Sequence, residues 1–356
     1  MFSLNNRPCE VALHKGTPML TQEKEPRFPR NNQSLLFDRV SQVEENLSPT
    51  THDWSSLFTF LRSLSRLFFH TSFHINENLR GSLEKIEIST FQDFMNFSTG
   101  QLVSRSSKRP VRSLYLDVDG QTKKYFLKQV GIPSLYAGLK AWCRLQPVQS
   151  ETVQELLLIQ LFRRHGIPVM APVGWGTNTV FGWPVSGFLL VEEVVGREFV
   201  EVYCTASLPG RRRLMRAHGE LMGTLHRKGI ESKVHPKDLI CISQDYKNFQ
   251  KSLVVIDREH GVPDTVNILF EHRAKRLAEI WIKGAFMIDP AERSELLAFL
   301  SGYWTASHMT PQRKDVRQRF VVLVIGCVAD ILARDDRFTH LRSPFKEKYD
   351  IPLKSN

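Results

Sequence analysis

The chain has 356 residues, 42% of them hydrophobic, which is enough for one large domain or two modest lobes. Its formal charge of +11 suits an anionic partner such as a nucleotide, a phosphorylated glycan, nucleic acid or a membrane surface, and suits equally a basic protein without one. No apolar run reaches the ~18–20 residues of a membrane span, and the N-terminus lacks a signal pattern, which together predict a cytoplasmic protein.

The cysteines are sparse and odd in number, at Cys9, Cys143, Cys204, Cys241 and Cys327. None belongs to a C-x-x-C pair, so neither a zinc knuckle nor a redox motif is indicated. The set fits a reducing compartment.

The first 53 residues are polar and rich in Pro, Asn, Ser and Glu, which predicts a disordered tail. Apolar residues then recur at helical spacing from Trp54 to Phe68, punctuated by Arg62 and Arg66. This pattern predicts an amphipathic helix. Such a helix packs on its own domain or lies on a membrane surface.

The clearest local signal is the hairpin sequence "VRSLYLDVDGQTKKYFLKQV" at residues 111–130. Apolar residues alternate on both sides of Asp119-Gly120, which is a turn dipeptide, and a β-hairpin is therefore predicted. Asp117 and Asp119 also form a D-x-D pair that could mark a sugar-nucleotide metal site. The turn explains both residues better.

Further elements follow along the chain. They are a helix at 149–165 capped by Ser150, a buried strand at 187–194, a helix at 211–228, a loop at 234–243, an apolar strand ending at Asp257, and helices at 272–283, 290–303 and 312–333. Strands with one helix precede mostly helices, which predicts an α+β fold with two unequal lobes.

Four polar residues interrupt these apolar elements: Lys128 on a strand, Glu155 in a helix, Asp238 in a loop and Asp257 at a strand end. Each alone has an ordinary explanation, since strand-end lysines are usually solvated and aspartates often form turns. Their order, however, is that of a protein-kinase-like phosphotransferase.

In that chemistry each residue type has a task. Lys128 would contact nucleotide phosphates and Glu155 would orient it through an ion pair. Asp257 would bind Mg²⁺, and Asp238 would accept the proton of the attacking hydroxyl. Glu192, at the end of the apolar strand, would lie beside the nucleotide in the hinge.

From about residue 91 to about residue 340 the chain resembles the lipopolysaccharide kinases of the Kdo/WaaP type, which have a protein-kinase-like fold. The matching segments are "FQDFMNFSTGQLV", "YFLKQV", "QELLLIQLFRRHGIPVMAPVGWG", "GFLLVEEVVG", "GELMGTLHRKGI", "KDL", "VVIDRE" and "LLAFLSGYW". Aligned in this way, the four residues take the four roles already argued.

The sequence departs from the family in three places. The loop reads H-x-x-D, from His235 to Asp238, instead of H-x-D. The expected position of the second metal ligand is Ser243, a feebler magnesium ligand than an amide. No G-x-G-x-x-G precedes Lys128, which leaves Gly100 as the glycine of the phosphate loop. A basic cluster that either covers the phosphates or is simply solvated lies nearby, at Arg105, Lys108 and Arg109.

The resemblance implies a small β-rich N-lobe with one main helix and a larger helical C-lobe. The expected divisions are a disordered tail at 1–53, an amphipathic helix and linker at 54–82, the N-lobe at 83–195, the C-lobe at 196–345 and a C-terminal tail at 346–356.

The implied activity is ATP-dependent phosphorylation of a sugar hydroxyl, on heptose or Kdo, of the lipopolysaccharide inner core. ATP and Mg²⁺ are the expected cofactors. The expected partner is the lipopolysaccharide core or another phosphorylated glycan, with a peripheral contact to the inner face of the inner membrane as an option and no nucleic acid. The alternatives are a protein or small-molecule kinase of the same fold, or a degenerate kinase that binds nucleotide without turnover.

Overall fold

The computed structural model describes residues 69–104, 109–131, 150–180, 183–243, 245–246, 248–257, 261–262, 268–288, 291–308 and 314–349. The predicted tail at 1–53 and the predicted amphipathic helix from Trp54 to Phe68 lie outside these residues. Within the described part of the chain, no helix is both long and apolar enough to cross a membrane.

The N-terminal half is built on a six-stranded antiparallel sheet with the strand order β1-β5-β6-β4-β3-β2. The strands are β1 (Phe69–Ile75), β2 (Gln101–Ser104), β3 (Val111–Val118), β4 (Gln121–Val130), β5 (Pro172–Val180) and β6 (Trp183–Glu192). β3 and β4 form the predicted hairpin, in which Val118 pairs with Gln121. Asp119 and Gly120 have φ angles of 53° and 73°, as a tight hairpin turn requires.

The two faces of the sheet bury different clusters because successive residues of a strand point to opposite sides. On one face, Phe188 and Leu190 of β6 pack with α1 (Glu77–Glu84) and α2 (Phe91–Asn96). On the other face, Leu189 and Val191 pack with α3 (Glu151–Arg164), the main helix of this half. The central strand is therefore fixed from both sides.

The folded region begins earlier than the predicted N-lobe boundary at residue 83. β1 pairs with β5 along its whole length, from Phe69 opposite Val180 to Ile75 opposite Gly174. Residues 69–82 are therefore an edge strand and most of a helix instead of a linker, because the exposed edge of β5 offers them a complete hydrogen-bond ladder.

The C-terminal half is mostly helical. Its helices are α4 (Phe199–Thr205), α5 (Leu208–Arg227), α6 (Phe249–Ser252), α7 (Phe270–Ile288), α8 (Arg293–Ser307), α9 (Lys314–Arg334) and α10 (Arg342–Tyr349). Short strands join them: β7 (Arg197–Glu198), β8 (Glu231–Ser232), β9 (Leu239–Cys241), β10 (Leu253–Val255) and β11 (Gly261–Val262). The 3-10 helices span Pro236–Asp238 and Asp336–Leu341.

The last helix extends into the predicted tail at 346–356. The hydroxyl of Tyr349 in α10 donates a hydrogen bond to the carbonyl of Ala291, and its ring packs edge-on against Trp281 of α7. Residues 346–349 therefore belong to the helical lobe.

Helices α5 and α8 cross at unusually close range because both carry glycines at the contact. A Cβ added to Gly219 would lie 1.9 Å from the carbonyl oxygen of Phe299, and one on Gly302 would lie 2.1 Å from that of Arg216. α5 leads into the loop that carries Asp238, so this tight crossing fixes the start of that loop.

The predicted fold class is confirmed. A small β-rich lobe with α3 as its main helix is followed by a larger helical lobe, and the architecture is an α+β, protein-kinase-like fold.

Candidate active site

A cleft of about 950 Å³ lies between the six-stranded sheet and the short β9–β10 hairpin. Several apolar side chains line it: Val111, Phe126, Val130, Met170, Val191, Ile240 and Ile256. Lys128, Glu155 and Asp257 also line it, as do Glu192 and Glu193 of the segment between the lobes. The cleft thus offers an apolar slot beside a charged group, which is the environment that a nucleotide base and its phosphates require.

Lys128 stands on the most constrained part of the sheet. β4 is paired on both sides, and Lys128 is flanked by Val111 of β3 and Leu189 of β6. Its neighbour Leu127 is fully buried on the opposite face. The alternation of the strand therefore turns Lys128 into the cleft, where its side chain is only 15% exposed.

The ammonium group of Lys128 contacts two carboxylates. Nζ lies 2.6 Å from Oε1 of Glu155 and 2.8 Å from Oδ1 of Asp257. Burial alone would lower the pKa of Lys128, but the two carboxylates outweigh burial and raise it. The lysine is therefore a fixed positive charge at neutral pH.

Glu155 is positioned by the burial of α3. Ser150 caps this helix, with its hydroxyl accepting a hydrogen bond from the N–H of Val153. The adjacent Leu156 and Ile159 pack on the sheet beneath. Glu155 is 5% exposed, so its carboxylate has a defined place beside Lys128.

Asp257 follows β10 in an unusual backbone conformation. Its φ angle is 52°, in the left-handed region that residues other than glycine rarely adopt. The preceding backbone is tightly held: the N–H of Val255 donates to the carbonyl of Pro168 and the N–H of Ile256 donates to the carbonyl of Asp238. Strain of this kind persists where surrounding bonds enforce it, and it is common at functional sites.

Asp238 lies next to Asp257 in the β9–β10 hairpin. It directly precedes β9, and the pairing of Leu239 with Val255 brings the two aspartates to the same end of the hairpin. Asp238 is 4% exposed, and its Oδ2 accepts a hydrogen bond of 3.1 Å from the N–H of His235. Unlike Asp257, Asp238 is not among the described residues that line the cleft.

The segment between the lobes is stabilised by two ion pairs with β4. Nζ of Lys124 lies 2.7 Å from Oε1 of Glu193, and Nζ of Lys123 lies 3.5 Å from Oε1 of Glu192. The N–H of Glu192 also donates to the carbonyl of Ala171. Glu192 therefore lies on the cleft wall, and its place beside a nucleotide stays a prediction.

Ser243 does not line the cleft. Its hydroxyl accepts a hydrogen bond of 3.1 Å from the N–H of Asp245. It follows β9, whereas Asp257 follows β10, so the antiparallel pairing places the two residues beyond opposite ends of the hairpin. The proposed pairing of Ser243 with Asp257 at a metal is therefore not supported by their places in the fold.

Gly100 also lies outside the cleft lining, although the next three residues, 101–103, line it. Its φ angle is 103°, and an added Cβ would lie 2.5 Å from the carbonyl oxygen of Ser113. The glycine is therefore required by the close approach of this turn to β3.

Sequence reasoning missed the apolar walls of the cleft and one charged contact at its edge. Ile240 lies in the three-residue strand β9 and Ile256 directly follows the three-residue strand β10, and alternation over so few residues is too short to predict. Arg109 forms an ion pair with Glu151 in the first turn of α3, and both line the cleft. The other two members of the predicted basic cluster, Arg105 and Lys108, lie outside the described residues.

The residues present fit a nucleotide-bound Mg²⁺. Among the described residues, no three His, Cys, Asp or Glu side chains converge tightly enough to hold a metal alone. Mg²⁺ bound with a nucleotide needs fewer protein ligands, because phosphates and water complete its shell. The half-exposed carboxylate of Asp257 has the oxygen chemistry that this ion prefers.

Residues 103–276 match the model of the lipopolysaccharide kinase (Kdo/WaaP) family, and this stretch contains Lys128, Glu155, Asp238 and Asp257. The match covers 174 of the 356 residues, and this stretch is similar to that family. It supports a phosphotransferase of the kinase class, as the sequence predicted. A comparison with curated protein sequences gave no match.

Among solved structures, the kinase is similar to "WaaP in complex with acyl carrier protein", with 18% identity, a TM-score of 0.47, and coverage of 79% of this chain and 99% of that one. It is similar to the "bifunctional kinase- methyltransferase WbdD", with 12% identity, a TM-score of 0.32, and coverage of 61% and 47%. It is also similar to an "aminoglycoside-3'-phosphotransferase of type VIII", with 12% identity, a TM-score of 0.39, and coverage of 71% and 100%.

Proposed function

We propose that the kinase transfers the γ-phosphoryl group of ATP to a hydroxyl of heptose or Kdo in the lipopolysaccharide inner core. The observation that carries the proposal is the contact of Lys128 with both Glu155 and Asp257 inside a cleft, in a stretch that matches the family. The positive charge of +11 suits an acceptor that is itself anionic.

The donor would be held by the residues that line the cleft. The base of ATP would lie between the apolar walls near Ile240 and Ile256 and beside Glu192. Lys128 would contact the phosphates, and Glu155 would keep it in place. Because the lysine stays charged, it would stabilise the negative charge on the phosphoryl oxygens during transfer.

Asp257 would be the ligand of Mg²⁺, whose contribution when bound is to neutralise charge on the β- and γ-phosphates. In this state the Asp257 carboxylate must exchange part of its contact with Lys128 for the metal. Its exposure of 43% leaves room for that exchange.

Asp238 would accept the proton of the attacking sugar hydroxyl. Its carboxylate is held by the N–H of His235, and its carbonyl is tied to the residue before Asp257. A carboxylate fixed beside the phosphoryl site has the chemistry of a general base. Because Asp238 lies close to Asp257, it could instead be a further oxygen ligand of the metal.

The decisive experiment is phosphate transfer from ATP to purified core glycolipid. The proposal expects transfer by the wild type, with loss in Lys128→Met and in Asp257→Asn. Phosphorylation of added proteins or aminoglycosides but not of the glycolipid would instead make the protein a kinase for another acceptor. A Lys85→Met variant is the control, because this exposed lysine lies at the end of α1.

A further inference from the structure

A group of cations lies around Lys283 of α7, next to the loop that carries Asp238, and the cleft residues do not account for it. The group consists of Lys233, Lys237, Lys283 and Arg337. Lys237 immediately precedes Asp238 and is exposed, and Lys283 stands near the end of α7.

The loop and α7 are in direct contact where these lysines lie. An added Cβ on Gly284 would lie 3.5 Å from Cγ of Pro236, so α7 packs against the 3-10 helix at this point. Lys237 follows Pro236 and Lys283 precedes Gly284 in the chain. The two lysines are therefore anchored on either side of one packed contact.

Nearby carboxylates neutralise only part of this charge. Glu279 lies 3.1 Å from Nζ of Lys233 and also pairs with Arg276, which in turn pairs with Glu231. Asp335 pairs with Arg337 at 2.6 Å.

Neither Lys237 nor Lys283 has an ion pair with any carboxylate in the part of the chain that the structure describes. The pKa of Lys283 is lowered, first by burial and then by Lys233, with smaller effects of Lys237 and Arg337, although Glu279 opposes them. The site thus carries an excess of positive charge that a bound anion would relieve.

We propose that Lys237 and Lys283 form an anion subsite that binds a phosphate or carboxylate of the acceptor, beside the hydroxyl to be phosphorylated. The inference rests on the proposed function for the identity of the acceptor. The location of the subsite favours the acceptor over the donor, because none of the four cations lines the cleft, at least among the residues described there.

The test compares Lys283→Gln and Lys237→Gln, singly and together, with Lys275→Gln. Lys275 is an exposed residue of the same helix, eight positions before Lys283 and hence about 12 Å away along the axis. Each substitution in the subsite should raise the KM for the anionic acceptor by about tenfold, because a charge-assisted hydrogen bond is lost. The KM for ATP should stay within about twofold, and Lys275→Gln should leave both constants unchanged.

Two comparisons separate the sources of the anion. An acceptor from which phosphate and carboxylate groups have been removed should show the same KM with the wild type and with Lys283→Gln. Binding to phosphatidylglycerol vesicles that lack the glycan should also be unaffected by Lys283→Gln. An unchanged acceptor KM, an equal rise in the KM for ATP, or a loss of vesicle binding would each overturn the subsite.

Direct binding keeps the inference separate from the proposed function. The lysines of the intact chain are labelled by ¹³C-methylation, and inorganic phosphate is titrated while their resonances are followed. The signals that disappear in Lys237→Gln and Lys283→Gln should shift saturably. If they do not shift, the subsite is rejected whatever the acceptor is. If they shift but no core glycolipid is phosphorylated, the subsite stands and only the proposed function fails.

Discussion

Lys128 and Glu155 are 27 residues apart in the chain, and their charged groups are 2.6 Å apart in the structure. One comes from a strand paired on both sides and the other from a helix packed on the same sheet. Glu155 is buried and the side chain of Lys128 is only 15% exposed, so both are already held in place before a nucleotide binds. Such an ion pair fixes a lysine where phosphates can reach it.

Removing either partner of this ion pair should lower kcat/KM strongly and change the thermal stability little. Lys128→Met should lower kcat/KM by about 10²–10³, the usual cost of losing one donor to developing charge. Glu155→Gln should lower it by about 10–100-fold, because Asp257 still holds the lysine. Steady-state kinetics with ATP checks both values, and thermal unfolding checks that the fold is retained. A Glu155→Gln enzyme with full activity would contradict the role of the pair.

The dependence of the rate on Mg²⁺ concentration distinguishes two roles for Asp238, general base and metal ligand. If this carboxylate accepts the hydroxyl proton, Asp238→Asn should lower kcat by about 10²–10⁴ without changing the Mg²⁺ concentration at half-maximal rate. If it is a metal ligand beside Asp257, that concentration should rise by more than about tenfold. The measurement is a Mg²⁺ titration at saturating ATP and acceptor.

Asp245→Asn is the matched control for this titration, because Asp245 is an exposed aspartate of the segment that follows β9. It should leave both the rate and the Mg²⁺ dependence as they are. Wild-type transfer by Asp238→Asn would show that this aspartate has neither role.

The parts of the fold that sequence predicted are those with local signals. The β3–β4 hairpin follows from Asp119-Gly120 and alternation, and α3 follows from its Ser150 cap and its periodicity. β1 was not predicted, because its partner in the sheet lies more than 100 residues away, as in the bond from Thr179 to the carbonyl of His70. No local pattern encodes such a pairing.

In the candidate site, too, the features with a local sequence signal were predicted and those that depend on long-range packing were not. The types and order of Lys128, Glu155 and Asp257 were predicted, since a lysine or a carboxylate within an apolar element is visible in the sequence. The displacement of Ser243 from Asp257 was not, because it depends on the register of β9 and β10. The group that Lys237 and Lys283 form was also missed, since the two lysines come near each other only through the packing of α7 on the loop.

The close crossing of α5 and α8 gives a test of the fold. Gly219→Ala should destabilise the protein by about 3 kcal/mol, because the new methyl group meets the carbonyl oxygen of Phe299 at 1.9 Å and the helices must separate. Gly326→Ala in α9 is the control, since nothing lies within 4 Å of its added Cβ. It should stabilise the protein by about 0.5–1 kcal/mol through its better helix propensity.

Urea denaturation of the two glycine variants gives both free energies of unfolding. Equal effects of Gly219→Ala and Gly326→Ala would mean that α5 and α8 do not touch as described. The lower free energy of unfolding of Gly219→Ala should be accompanied by lower phosphotransfer activity, because α5 leads into the loop that carries Asp238.

Two buried histidines predict how stability depends on pH. The Nε2–H group of His218 donates a hydrogen bond of 2.9 Å to the carbonyl of Val234, and the ring lies between Phe199 and Phe299. Burial lowers the pKa of His218 to about 4 and that of His226, which contacts Tyr303, to about 3. Both are therefore neutral in the folded protein at pH 5–7.

In the unfolded chain both histidines have a pKa near 6.5, so between about pH 6.5 and pH 4 the unfolded state binds more protons than the folded state. Stability is complete above this range and falls as the pH drops through it. Each histidine should lower the free energy of unfolding by about 1–2 kcal/mol between pH 6.5 and pH 5. Urea denaturation at these two pH values measures the sum. His226→Phe should remove about half of the difference, and an unchanged pH dependence in that variant would show that His226 is not buried as a neutral group.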